Sequence, residues 1–120
     1  MDKLVTLKRN KEFNYVYRRG KAVSRRDFTL VYVRSRYGGL RTGFAVSRKV
    51  GNSVVRNRAR RRLKEALRLL LPEVQGSFSA IFVAKPEIRD VQFADLVGQM
   101  RGALRKAGIL RQEAGGKAQP

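Results

Sequence analysis

The sequence predicts a small α/β domain of the α+β kind, a two-layer sandwich with helices on one side of a short sheet. Three observations predict it. Residues 27–34 and 77–84 are rich in β-branched and aromatic side chains and bounded by turn or breaker residues, as strands are. Residues 53–70 and 91–107 repeat apolar side chains every three or four positions, as half-buried helices do. The order along the chain is helix, two or three strands, helix, strand, helix, with neither a repeat nor a composition shift. At 120 residues this makes one domain, residues 1–111, with a disordered basic tail of Gly, Ala, Lys, Gln and Pro at 112–120.

Taken in order, residues 1–9 hold no lasting period and read as an extended lead-in. Asn10 caps a short helix at 11–18 that puts Phe13, Val16 and Tyr17 on one side and ends at Gly20. Val16 reads as core. Phe13 and Tyr17 are either core or a platform on which unpaired bases stack. Strand 27–34 places Phe28, Leu30 and Tyr32 on one face and Thr29, Val31 and Val33 on the other, so both faces are covered or one receives a ligand. Tyr37-Gly38-Gly39 turns the chain into an antiparallel partner at 41–46, where Gly43 lets another backbone come close. After the central helix, Pro72 and Gly76 lead to strand 77–84, which Lys85-Pro86 ends. Asp90 caps the last helix, whose stripe is Phe93, Leu96, Val97, Met100, Leu104 and Ala107.

The helix at 53–70 is the element with chemistry in it. Val55, Ala59, Leu63, Ala66 and Leu70 fall in one arc at about 100° per residue. Arg60, Lys64, Asn57, Arg68 and Arg61 fall opposite, Arg58 lies beside them, and Arg56 and Arg62 edge the apolar stripe. Val50-Gly51 allows a turn, Asn52 or Ser53 offers a capping oxygen, and Pro72 stops the helix. A solvated surface helix interleaves acids with bases, and this one has only Glu65. So much uncompensated charge on one rigid element repels itself unless an outside polyanion neutralises it.

Composition narrows the function further. The net charge is +19, and between Asp27 and Glu65 eleven Lys or Arg meet no acid. Such a balance points first to nucleic acid and second to an anionic membrane surface. The chain has no Cys and no His, which removes thiolate chemistry, the usual zinc sites and the commonest general base. Its nine acids are scattered, so a protein-only hydrolase is disfavoured. No apolar run approaches the ~20 residues of a membrane span, and the expectation is a cytoplasmic protein.

The run Lys49-Val50-Gly51-Asn52-Ser53-Val54-Val55-Arg56-Asn57-Arg58, continued by Arg60, Arg61 and Lys64, closely resembles the signature of the bacterial ribonuclease P protein component. Phe13, Val16, Tyr17 and Gly20, Arg26-Asp27-Phe28, and Gly43-Phe44-Ala45-Val46-Ser47 extend the resemblance over about residues 7–110. It implies a fold like the second domain of ribosomal protein S5, with a left-handed β-α-β crossover around the basic helix. It also implies the small subunit of a ribonucleoprotein endonuclease that removes the 5′ leader from precursor tRNA, catalysis belonging to the RNA subunit and its Mg²⁺ ions, with none held by the protein alone. Three positions depart from the family's pattern. Ser53 stands where Ala is common, Arg62 stands where the residue is often apolar, and Val31, with Tyr32 beside it, stands where some relatives place a leader-contacting tyrosine.

On this resemblance the surface that meets the RNA subunit is Arg48, Lys49, Asn52, Arg56, Asn57, Arg58, Arg60, Arg61, Lys64 and Arg68. Arg bridges phosphate oxygens in pairs, and Asn57 both gives and accepts hydrogen bonds. The leader is expected in a cleft between the first helix and the sheet, lined by Phe13, Tyr17, Val31 and Tyr32. The protein would then favour precursor over product, lower the Mg²⁺ requirement and broaden substrate range. A ribosomal or other structural RNA-binding protein is the competing reading. A zipper-type DNA-binding helix fits poorly because Pro72 precludes heptads, and a membrane-surface helix because no Trp anchors it.

Overall fold

The computed structural model describes residues 4–111; the expected tail at 112–120 lies outside them. Ten elements follow one another: β1 (Val5–Thr6), α1 (Asn10–Arg19), β2 (Lys21–Ser24), β3 (Phe28–Arg34), β4 (Gly39–Ala45), α2 (Ser53–Leu70), a 3-10 turn at Leu71–Glu73, β5 (Ser77–Ala84), a second 3-10 turn at Pro86–Arg89, and α3 (Phe93–Ala107). The strands form one sheet in the order β1-β4-β5-β3-β2, with β4 parallel to both β1 and β5 and the remaining pairs antiparallel; the antiparallel hairpin expected of β3 and β4 does not form, because β5 inserts between them and pairs with both.

The α+β class is as expected, but the helices lie on both faces of the sheet. Alternation along β3 and β5 gives each strand two apolar sides, and each needs a cover. Phe28, Leu30, Ala80, Phe82 and Ala84 face α2 and α3 in the main core, where Leu63, Leu67, Leu70, Leu96, Met100 and Leu104 are fully buried. Ile81 faces the other way, into a smaller cluster with Leu7 and Val16 that Phe13, Val31, Val33, Ala45 and Val83 border. α1 supplies that cover. Val16 and Ile81 are both buried, a contribution of ~1.5–3 kcal/mol for each such aliphatic side chain relative to leaving it in water.

The handedness of the central unit follows from two directions at Thr42. The Leu7 amide donates to the Thr42 carbonyl at 2.7 Å, so the backbone groups of Thr42 point toward β1. Its side chain lies on the face of Leu40 and Phe44, two residues either way, which pack in the core with α2. For an L-residue this means that, seen from α2 with β4 running upward, β1 is on the right and β5 on the left. β4, α2 and β5 therefore wind as a left-handed crossover, against the rule that most parallel pairs obey.

The helix ends differ in how well they were foreseen. α2 begins where expected, its first turn capped by Asn52 Oδ1, which accepts from the Val55 amide at 3.0 Å. Gly51 is required there, because a Cβ would stand 2.8 Å from the Val55 side chain. α3 starts at Phe93 after Gln92; Asp90 instead closes the Pro86–Arg89 turn and caps nothing on α3. Phe93, expected in the core stripe, is 38% exposed, and Ala103 takes its share of the buried face.

α1 starts at Asn10, and Glu12 rather than Asn10 stabilises its start. Glu12 Oε1 accepts from the amides of Lys8 at 2.8 Å and Arg9 at 3.0 Å, and Oε2 accepts from Arg41 Nη2 at 2.8 Å. The two amides, with Arg41 adding to them, lower the Glu12 pKa to about 2 from 4.5. A depressed carboxylate stabilises the fold above its unfolded pKa and loses that contribution as pH falls through the folded one. Glu12→Ala is therefore expected to lower the urea midpoint at neutral pH. The gap from the parent should narrow between pH 4.5 and 2 and close below that; a gap that persists unchanged at pH 2 would count against this account.

Candidate nucleic-acid interface

α2 holds its cations outward. Arg48, Lys49, Asn52, Asn57, Arg58, Arg61 and Arg68 are exposed, while Arg56, Arg60 and Lys64 are half-buried along the flanks. Among the described residues the ion pairs are Arg41 with Glu12 and Arg101 and Arg105 with Glu73, so no cation of α2 or of the loop before it has an acid within 4.0 Å. This is a charged surface without an internal partner, as the lone Glu65 foretold.

Four of these side chains already have work within the chain. Asn52 spends its carbonyl oxygen on the helix cap, leaving only its amide N–H groups for a ligand. Asn57 Oδ1 accepts from Arg60 Nη1 at 3.0 Å, which fixes both side chains and leaves Asn57 chiefly a donor. Lys64 Nζ sits 5.9 Å from the centre of the Phe44 ring, which in turn stacks on Phe82. Arg62 belongs to a different task. Its guanidinium donates to the carbonyls of Ile88, at 2.9 Å, and Val91, pinning the Pro86–Arg89 turn against α2. Burial lowers its pKa, with Arg58 adding to that effect and Asp27 opposing it.

The cleft beside α1 is built from fewer of the expected residues. Val16 points at the sheet, so helical spacing puts Phe13 and Tyr17 on one flank of α1 and Glu12, held by Arg41, on the other. Phe13 lies against the backbone of Gly43, where an added Cβ would stand 2.4 Å from the ring. The close approach expected at Gly43 is therefore made by an aromatic ring and not by another backbone. Tyr17 is 46% exposed, and partial burial raises its pKa, so its hydroxyl stays neutral. Val31 is half-buried in the same cluster. Tyr32 is not part of this surface. One residue along a strand reverses the side chain, and Tyr32 packs edge-on to Phe78 in the main core, ring centres 6.4 Å apart.

Strand register adds Val83 and Ala45, which no sequence pattern placed here, to Thr29, which alternation along β3 already put on the face of Val31. The three are neighbours across β3, β5 and β4, on the face that α1 covers and beyond the flank bearing Phe13 and Tyr17. Ala45 ends β4, and the next residues turn through Ser47 and Gly51, with Val50 buried and Arg48 and Lys49 exposed. The crossover then sends α2 back from this edge, so its first turns, with Arg56, Asn57 and Arg58, start beside the mouth of the cleft. The face bearing Phe13 and Tyr17 and the start of the cationic helix are thus linked through the C-terminal end of β4.

Among the described residues no three of His, Cys, Asp or Glu gather where they could hold a metal ion. No helix there is long and apolar enough to cross a membrane.

Residues 1–108 match the family model described as Ribonuclease P. A ribonuclease P protein component from Thermoanaerobacter sp. (strain X514) is 41% identical over 107 residues, 89% of this chain and 92% of its own length. One from Symbiobacterium thermophilum is 38% identical over 115 residues, covering 94% of this chain and 99% of that protein. The solved structure of the Staphylococcus aureus RNase P protein superposes with a TM-score of 0.81 at 24% identity, over 91% of this chain and all of that one. The Thermotoga maritima RNase P protein gives 0.77 at 20%, over 84% and 96%. These two speak for the fold. With a family model spanning nearly its whole length and relatives alike at this level from end to end, the chain belongs to the ribonuclease P protein component family.

Proposed function

We propose that this chain is the subunit that docks on the catalytic RNA of ribonuclease P through α2 and holds the single-stranded 5′ leader of precursor tRNA in the cleft beside α1. The RNA carries catalysis and binds the Mg²⁺ ions, and the complex works in the cytoplasm with no DNA partner. One observation carries this reading: the cations of α2, with no acid among the described residues in salt-bridge reach, follow from the C-terminal end of β4, the strand on whose other face Phe13 is seated with half-exposed Tyr17 beside it.

The division of labour follows from the side chains. Arg56, Arg58 and Arg61, with Arg48 and Lys49 before them and Arg68 after, bind phosphates by charge-assisted bonds. Each phosphate so neutralised no longer recruits a metal ion, which lowers the Mg²⁺ needed. Phe13 and Tyr17 offer ring faces to leader bases, and stacking has little sequence preference, which suits a processor of many different leaders. Mature tRNA lacks the leader, so these contacts favour substrate over product and broaden substrate range.

The deciding experiment is cleavage of a precursor tRNA by the matching RNA subunit at low Mg²⁺, with and without the chain. Cleavage should need the chain there and become independent of it at high Mg²⁺, and the RNA-free chain should cut nothing. Equal rates with and without it at low Mg²⁺ would defeat the proposal.

A further inference from the structure

A cavity of about 160 Å³ opens between the first half of α2 and the Pro86–Arg89 turn, on the flank of the helix away from Lys64 and Phe44. That is roughly five times the ~30 Å³ a water molecule occupies. Val54, Ala59 and Ile88 give it apolar walls, and Arg58, Arg62 and Arg89 supply all of its charge. None of the three arginines has an acid within salt-bridge distance among the described residues. Val54 is 74% exposed, an apolar group standing in water amid cations. Arg62 is held by its two carbonyl acceptors, so its guanidinium plane is already in place and its rotamer freedom already spent.

An apolar slot with a fixed guanidinium and a positive rim suits a flat ring carrying phosphates on either side. We infer that this cavity takes one unpaired nucleobase of the RNA on which α2 docks, turned out of its strand and stacked beside Arg62, with its flanking phosphates on Arg58 and Arg89. The inference rests on the proposed docking of α2 and adds a single-nucleotide contact to it. Phosphate alone would satisfy the arginines but leave Val54 uncovered; a base covers both.

The test uses the full chain assembled with the matching ribonuclease P RNA and a reagent that modifies unpaired bases. The parent should protect one unpaired base that Val54→Trp, which plugs the mouth from an exposed position, leaves reactive. That variant should bind about tenfold or more weaker with an unchanged salt slope, because stacking is lost and charge is not. Arg89→Ala should reduce the salt slope by about one and weaken the same protection. If Val54→Trp binds as the parent does and protects the same bases, the cavity is no base site, while the footprint along α2 still upholds docking. If Val54→Trp fails to fold by circular dichroism, Arg89→Ala decides, and an unchanged slope with unchanged base reactivity overturns the inference. A parent chain that protects no part of the RNA removes docking and base site together.

Discussion

Replacing Arg56 and Arg58 together by alanine lowers affinity for the RNA subunit by roughly 25- to 60-fold at 0.1 M salt and reduces the slope of log K against log salt by about 1.4–1.8. The size follows from counterion release: each phosphate contact contributes about 0.7 for single strands and 0.9 for duplex, and two contacts scale accordingly between 1 M and 0.1 M. The two arginines are chosen because nothing inside the chain uses their charge. Arg58 is exposed, and Arg56 is half-buried with a buried Nε that has no hydrogen-bond partner. Arg60 is tied to Asn57, and Lys64 lies on Phe44, so their loss perturbs the helix surface as well as the contact. Binding titrations at four or five salt concentrations, with a melting curve to show that both proteins are folded, check it. A weaker affinity with an unchanged slope would mean that the arginines do not meet phosphates.

α2 was legible because everything that defines it is local. Asn52, the step-of-three-and-four apolar stripe and Pro72 sit within one stretch, and tertiary packing only confirmed the side they had chosen. β5 was legible for the same reason, down to its bounds. β2 was not marked as a strand, since four residues with one inward side chain, Val23, make no pattern. Its identity as a strand comes from pairing with β3.

The interface divides along the same line. Which residues of β3 share a face was readable, because parity along a strand is fixed by geometry. Which of the two faces α1 would take was not, because both are apolar and the choice depends on the sheet order. Parity alone therefore leaves Val31 and Tyr32 equal candidates for that surface, and the sheet order decides for Val31. Arg62 shows the other limit: its acceptors are the carbonyls of Ile88 and Val91, 26 and 29 residues away, and backbone oxygens leave no trace in a sequence. Glu12 is similar, with its partner Arg41 across 29 residues.

That face assignment makes the cleft testable with a built-in control. Tyr17→Ala should weaken binding of precursor tRNA to the assembled complex by about 5- to 150-fold, the equivalent of ~1–3 kcal/mol for one stacked base, and leave mature tRNA binding unchanged. Tyr17 is nearly half exposed, so its removal should cost the fold little. Tyr32→Phe keeps the packing on Phe78 on the opposite face and should leave the precursor-to-mature ratio where it was. Gly43→Ala reaches the cleft from below: its Cβ would stand 2.4 Å from the Phe13 ring, which must leave its seat on β4, so the same ratio should fall although no aromatic is lost. The ratio, measured in one complex at one salt concentration, separates leader contact from docking because α2 serves both tRNAs alike. A ratio that moves with Tyr32 and not with Tyr17 would put the leader on the other face of the sheet, and one that moves with neither would take it off the protein's sheet altogether.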